Sequence, residues 1–183
     1  MNNRDNVKKY ENTRLEDYDK YINALNSPKL NGKVHDVSFG QEIIVGNVKS
    51  EILSIKNENL TNNYGNNQSM VTKMYIGDSS IIFLGDTGLE EEDFLINNVP
   101  VDKLKADYVQ ISHHGQRGAS QQLYNIISPK YCFWPCSIQL YDNDLGKGFN
   151  TGYLKTIETR RWIEKLGAIN YVAGYGDIKL QIK

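Results

Sequence analysis

The sequence has little of what marks several common classes of protein. Its 183 residues include only two cysteines, so no disulfide framework of the secreted kind is available. The formal net charge is −1, which gives no bulk electrostatic attraction to nucleic acids or membranes. No apolar run approaches the length of a membrane span, and the polar N-terminus has no signal-peptide core. We therefore expect a single cytoplasmic domain over residues 1–183, with no membrane partner.

Metal-binding residue types are also scarce. The chain has three histidines, which are His35, His113 and His114. Cys132 and Cys136 have a spacing that could hold a metal ion, but three apolar residues separate them. We expect them to be buried, reduced thiols. His35 lies in a predicted strand region, where a lone histidine is most often a surface residue.

Residues 1–30 are predicted to be an N-terminal helical region. Apolar residues recur at three- and four-residue steps between residues 4 and 26, which indicates a helix with one apolar face. The residues on that face are Leu15, Tyr18, Ile22 and Leu25. Pro28 and Gly32 then predict its end.

Residues 33–183 are predicted to hold the sheet and the remaining helices. Short β-branched runs joined at Gly46-Asn47 and at Gly77-Asp78 indicate two hairpins. The return strand Ser80–Leu84 is apolar on both faces, so we expect it to be central in a covered sheet. The elements predicted after it are helix Leu89–Asn97, strand Ala106–Ser112, helix Gln121–Ile127, strand Tyr131–Trp134, helix 151–166, and strands Ile169–Ala173 and Ile178–Ile182. This alternation predicts an α/β fold with a mixed sheet flanked by helices.

Polar clusters follow two of the predicted strands. Gly85 allows a sharp turn that delivers Asp86 at the end of one strand, and His113 and His114 follow the next. A carboxylate and imidazoles at neighbouring strand ends are suited to a hydrolytic metal site. Asp86 could instead serve a turn or cap the next helix, with Thr87 as another possible cap, and the histidines could be surface residues. On an extended backbone, adjacent histidines point in different directions, so we expect at most one of them to be a metal ligand.

The motifs resemble those of the metallo-β-lactamase-fold hydrolases, in the branch of competence-type DNA-uptake proteins and phosphorylcholine-esterase-like enzymes. The resemblance covers roughly residues 35–183. The matching motifs lie between residues 66 and 120 and consist of Asn66-Asn67-x-Ser69-Met70-Val71, Phe83-Leu84-Gly85-Asp86, Leu104-x-Ala106-Asp107-Tyr108-Val109, His113-His114-Gly115 and Ser120. The fold that this resemblance implies is an αββα sandwich, of which the chain carries mainly the C-terminal half.

The resemblance also implies roles for individual residues. Asp86 would bridge two metal ions, usually zinc with manganese as an alternative, and His114 would complete the shell of the second ion. Both would then be catalytic residues as well as metal ligands. His113, Asn67 and Ser69 would contact the substrate, although Asn67 and Ser69 could equally serve the turn in which they lie.

The sequence departs from this family in one respect. The main metal motif of the family, His-x-His-x-Asp-His, occurs nowhere in the chain. One hypothesis is that the chain is the C-terminal half of a metal-dependent hydrolase of phosphoester or related bonds, with the other half on a separate chain, missing from this sequence, or lost. A second is a catalytically inactive binding domain that forms a homodimer, since a half-fold would expose one sheet face. A third is a metal-free enzyme of another class that uses Asp86 and the two histidines. The substrate, whether nucleic acid or a small phosphoester, is left open.

Overall fold

The fold is α/β and contains one seven-stranded mixed sheet, as a computed structural model describes it for residues 4–180. The strands are β1 Glu42–Val45, β2 Val48–Ser54, β3 Val71–Ile76, β4 Ser79–Phe83, β5 Tyr108–Gln110, β6 Tyr131–Trp134 and β7 Ile169–Val172. The α-helices are α1 Arg4–Tyr10, α2 Leu15–Leu25, α3 Leu89–Asn98, α4 Val101–Leu104, α5 Gln121–Ile127, α6 Ile138–Tyr141 and α7 Thr156–Lys165. Short 3-10 turns lie at Asn12–Arg14, Pro28–Leu30, Asn66–Gln68, Ser112–Gly115 and Ala173–Tyr175.

The spatial order of the strands follows their order in the chain. Strands β1 to β4 form an antiparallel meander, and β4 to β7 run parallel. Parallel neighbours need crossover connections, which α3 to α7 supply. Because such crossovers are almost always right-handed and all step in one direction, their helices lie on one face of the sheet.

The main core lies between that face and the helices. Alternate strand residues such as Ile82, Val109 and Trp134 are almost fully buried and belong to one apolar cluster with Leu95 of α3 and Leu123 of α5. Their neighbours along each strand point to the opposite face and do not belong to this cluster. Strand β4 is central in the sheet, as predicted, and its cover on the opposite face is partial, because Ile81 is buried there whereas Phe83 is 36% exposed.

Both predicted hairpins are confirmed, with turns at Gly46-Asn47 and Gly77-Asp78. The predicted helix Gln121–Ile127 and strand Tyr131–Trp134 have their predicted bounds. These elements depend on local signals, which are turn residues, alternating apolar and polar residues, and a serine helix cap. They could therefore be predicted from short segments of the sequence.

The N-terminal helix and the connections differ from expectation. The predicted helix is broken at Glu11, whose carboxylate accepts a hydrogen bond from the Gly65 N–H at 2.9 Å. Short helices α4 and α6 lie where connections were expected, beginning after Pro100 and Ser137. The predicted last strand is absent over residues 178–180, and its end lies outside the described residues. None of the helices between residues 4 and 180 is long and apolar enough to cross a membrane.

Candidate functional site

The two polar clusters predicted at strand ends come together in the structure. Strands β4 and β5 are parallel neighbours, so the loops after them leave the same edge of the sheet. The His113 N–H donates to the Gly85 carbonyl at 3.0 Å, which joins the two loops directly. As a result, the Nε2 atom of His114 lies 3.7 Å from the Oδ1 atom of Asp86.

Two side chains hold the loop that carries Asp86. The amide oxygen of Gln110 accepts hydrogen bonds from the Leu84 and Gly85 N–H groups at 3.1 and 2.8 Å. The Ser69 hydroxyl accepts one from the Asp86 N–H at 2.9 Å. Gly85 has φ +57°, and a Cβ there would lie 2.8 Å from the Ser69 oxygen. Ser69 therefore positions the Asp86 backbone, while its predicted contact with substrate stays a prediction.

The histidine pair has an unusual backbone. His113 and His114 have φ values of 47° and 57°, both left-handed, so the expectation of an extended backbone is wrong. Left-handed conformation is uncommon for residues other than glycine, asparagine and aspartate, and it costs on the order of 1–3 kcal/mol per residue. Gly115 continues the left-handed run at φ +83°, and a Cβ there would lie 2.1 Å from the Trp134 ring. The indole therefore packs directly beneath the loop and supports its shape.

The imidazole of His114 has a defined orientation. Its Nδ1 atom lies 2.7 Å from the Pro135 carbonyl oxygen. A carbonyl can only accept, so Nδ1 carries a proton, and the Nε2 side of the ring faces Asp86. The side chains of His114 and Asp86 are 42% and 40% exposed, so both can be reached from solvent.

The pair has donors of the right kind for a metal ion but not enough of them. The 3.7 Å separation is too long for a hydrogen bond. Two ligands of one tetrahedral zinc ion would lie about 3.4 Å apart, which is close to the observed spacing. Zinc takes three or four ligands, however, and residues 4–180 contain no group of three or more histidine, cysteine or acidic side chains placed to hold a metal ion. Asp86 and His114 alone are therefore too few ligands to hold a zinc ion.

His113 faces away from this pair. Its Nε2 atom lies 3.4 Å from the amide nitrogen of Asn66, and its buried Nδ1 atom has no hydrogen-bond partner among the described residues. The ring lines a pocket of about 520 Å³ beside the candidate site. Leu89 and Arg117 lie on other sides of this pocket.

Asn67 lies at the base of the same pocket but uses its amide within the protein. It is 2% exposed, and its oxygen accepts from the Gly88 and Glu91 N–H groups at 2.9 and 3.3 Å. Its amide nitrogen donates to the Asn62 carbonyl at 2.7 Å. Asn67 therefore caps α3 from a distant loop, and the expectation that Thr87 caps this helix is wrong. Contact between Asn67 and a substrate stays a prediction.

Glu91, which sequence reasoning did not single out, is buried beneath the site. It is 0% exposed and contacts the hydroxyls of Ser54 and Thr87 at 2.8 and 3.1 Å. Burial raises its pKa to about 8, although hydrogen bonds from Ser54 and Thr87 oppose this shift. In the sequence it is one of three successive glutamates that suit a helix N-terminus. Nothing in that pattern marks the middle one as buried.

The remaining metal-binding residue types lie apart from Asp86 and His114. Cys132 and Cys136 are free and buried, as predicted, and burial raises the pKa of their thiols to about 12 and about 11. Such thiols are protonated at neutral pH, which suits packing and not metal binding. His35 is exposed and lines a separate pocket with Met70.

No protein-family model matches this chain, and no curated protein matches it. The site is therefore interpreted from its own geometry, and the resemblance to the metallo-β-lactamase fold stays a prediction.

Proposed function

We propose that the chain supplies one wall of a metal-dependent site that hydrolyses phosphoester bonds, as the C-terminal half of a metallo-β-lactamase-like αββα sandwich. The observation that carries this proposal is the geometry of His114. A hydrogen bond from Nδ1 to a backbone carbonyl is the usual way in which proteins fix the tautomer and orientation of a metal-binding histidine. The free Nε2 atom then faces the Asp86 carboxylate at 3.7 Å.

The environment of the pair favours the same interpretation. Both side chains are partly exposed at a sheet edge, and the loops that carry them are tied together by the His113 N–H. Strained backbone concentrates at functional sites, where the surrounding structure holds it in place. The indole of Trp134 beneath Gly115 provides such support here.

The pocket beside His113 supports an anionic ester as the substrate class. Arg117 has no ion pair among the described residues, and a guanidinium group matches the geometry of a phosphate. Leu89 is 61% exposed and gives the pocket an apolar wall for the organic part of an ester. His113 lines the same pocket, where an imidazole can hydrogen-bond a phosphate oxygen.

Each residue then has a limited role. Asp86 and His114 would hold zinc or manganese, and a bound ion of this kind supplies hydroxide at neutral pH and stabilises a developing oxyanion. His113 and Arg117 orient the ester. The further ligands that zinc needs would come from outside the described residues.

A catalytically inactive binding domain of the same fold is the second candidate. It is favoured by the small number of ligands around Asp86 and His114, because residues 4–180 provide no third donor for an ion. The metal-free enzyme is the weakest of the three hypotheses, since a carboxylate 3.7 Å from an imidazole does not form the hydrogen bond of a catalytic dyad.

A zinc titration of the purified chain tests the proposal. We expect weak binding of zinc, measured by competition with a chromophoric chelator. Because each residue provides one of two protein donors, Asp86→Ala and His114→Ala should each weaken binding by at least about tenfold. His35→Ala is the matched control and should bind zinc like the wild type.

Retention of wild-type zinc affinity in both site variants would exclude the proposed metal role. If the wild type itself bound no zinc or manganese, the binding-domain candidate would be preferred.

A further inference from the structure

The face of the sheet opposite the crossover helices is apolar and aromatic. We name it the tyrosine face and define it by six side chains, which are Met74, Phe83, Tyr108, Tyr131, Phe133 and Tyr171. The strand register places them on one side, because Met74 is paired with Ile81, Tyr108 with both Ile81 and Tyr131, and Phe133 with Tyr171.

The aromatic rings of this face form one continuous stack. The centroids of Tyr108 and Tyr131 lie 4.7 Å apart, and those of Phe133 and Tyr171 lie 5.7 Å apart. Tyr108 also stacks on Phe133 at 6.0 Å, and Tyr131 on Tyr171 at 6.1 Å. Rings held in this way form a rigid surface, so a partner can bind to it with little loss of side-chain entropy.

The tyrosine face is not part of the main core. None of its six side chains belongs to the buried apolar cluster, which includes the alternate residues Ile82, Val109 and Cys132. Phe83 is 36% exposed, and Ile169, which pairs with Tyr131, is 53% exposed. The other five side chains of the face are partly buried, and Ile81, which lies among them, is 9% exposed. A contiguous, partly exposed apolar surface of this kind is typical of an interaction site.

The face also carries no charge. Across β4 to β7 the positions that share it are apolar, aromatic or, at Ser79 and Gln110, polar and neutral. Charged side chains of the central strands lie on the other side, where Glu51 is paired with Lys73. A partner with charged groups here would have to bury them without counter-ions, which is costly.

We propose that the tyrosine face is the surface through which two copies of this chain associate, face to face, about a two-fold axis. An uncharged aromatic face is complementary to itself, since tyrosine hydroxyls both donate and accept hydrogen bonds. A two-fold contact uses the same patch on both copies and needs no other chain. This inference does not involve Asp86, His114 or a metal ion. The second sheet of an αββα sandwich would pack on the same face, however, so a second copy of this chain and a separate chain that completes the sandwich would compete for it.

The size of the face sets the expected strength of the dimer. The six side chains lie on the five strands β3 to β7. Five strands spaced about 4.8 Å apart, each four to five residues long at about 3.3 Å per residue, give a footprint of about 350 Å². Two such faces bury about 700 Å², which is below the size of a standard specific interface. The dimer should therefore be weak, with a dissociation constant of about 100 μM, and not be permanent.

Sedimentation equilibrium of the full chain tests this proposal. Between about 1 and about 300 μM, the average mass should rise from the 20.9 kDa of one chain toward twice that value. Tyr131→Lys places a charge at the centre of the face and should raise the dissociation constant at least about tenfold. Tyr153→Lys makes the same change at a loop residue that is 78% exposed, and it should leave association unchanged.

The proposal is overturned if the wild type keeps the mass of one chain throughout, which would assign the face to a different partner or to none. It is also overturned if Tyr131→Lys has a wild-type circular dichroism spectrum yet associates as strongly as the wild type. If Tyr131→Lys does not fold, the wild-type concentration series alone decides the outcome.

Discussion

Replacing Glu91 by glutamine should change how the stability of this protein depends on pH. The Thr87 hydroxyl lies 2.6 Å from the Leu84 carbonyl and 3.1 Å from the Glu91 carboxyl group. The Thr87 hydroxyl has one proton to donate. Its shorter contact is with the Leu84 carbonyl, which can only accept, so the hydroxyl donates to that carbonyl. Burial favours the protonated form of the Glu91 carboxyl, which can donate to the Thr87 oxygen while it accepts from Ser54.

The magnitude follows from the pKa. Burial raises the pKa of Glu91 to about 8, whereas a glutamate in an unfolded chain has a pKa of about 4.3. Between these values the folded state holds a proton that the unfolded state has released. Stability contributed by the protonated acid is therefore complete below about pH 4.3 and is lost by about 1.4 kcal/mol per pH unit as the pH rises toward 8.

Glutamine preserves both hydrogen bonds, since its NH₂ group can donate to Thr87 and its oxygen can accept from Ser54. It has no ionised form, so Glu91→Gln should become more stable than the wild type as the pH rises, by about 4–5 kcal/mol near pH 8. Urea denaturation from about pH 5 to about pH 8 measures this difference. Asp93→Asn, at an exposed position of the same helix, is the control and should follow the wild type. Parallel stability curves for Glu91→Gln and the wild type would refute the assignment of a buried neutral acid.

Two substitutions near the site test its supporting contacts by the same urea assay. Gly115→Ala should destabilise the fold by about 2–4 kcal/mol, because its methyl group would overlap the Trp134 ring and its φ of +83° disfavours any side chain; a loss below about 0.5 kcal/mol would contradict this packing. Asn67→Ala should cost about 1–2 kcal/mol, because it leaves the Gly88 and Glu91 N–H groups without their acceptor. Asn67→Asp keeps that acceptor and should lose less, so equal losses in the two Asn67 variants would argue against a capping role.

The parts of the fold that sequence predicts well are those whose signals are local. The turn at Gly77-Asp78 and the alternation on either side of it define a hairpin within fifteen residues, and the structure contains it. The break at Glu11 could not be predicted in this way, because it depends on a hydrogen bond to Gly65, which is 54 residues away. Helix propensity continues through Glu11, and a tertiary contact overrides it.

In the candidate site, too, some features follow from local sequence signals and others depend on contacts that the sequence does not reveal. The positions of Asp86 and the two histidines after two neighbouring strands predicted that they would lie close together, because parallel neighbours end at one edge of the sheet. The contacts that orient them were not predictable, since Pro135 acts on His114 through its backbone carbonyl. Any residue at position 135 presents a carbonyl, so the sequence carries no sign of its role. The left-handed backbone at His113 was also missed, because histidine has only a weak preference for that conformation.

The strain at the histidine loop bears on the choice between a hydrolytic site and a binding domain. Two successive left-handed histidines cost on the order of 2–6 kcal/mol, a large part of the 5–15 kcal/mol that stabilises an ordinary domain. This strain does not help to form the tyrosine face, because the side chains of that face extend from regular strands, on the side of the sheet opposite the crossover helices. The left-handed turn does have a consequence at the sheet edge, where it brings Nε2 of His114 to 3.7 Å from Asp86 while Nδ1 is held by Pro135. A chain that acted only through its sheet face would be more stable with a relaxed loop here, and the retained strain therefore favours a chemical role for the pair.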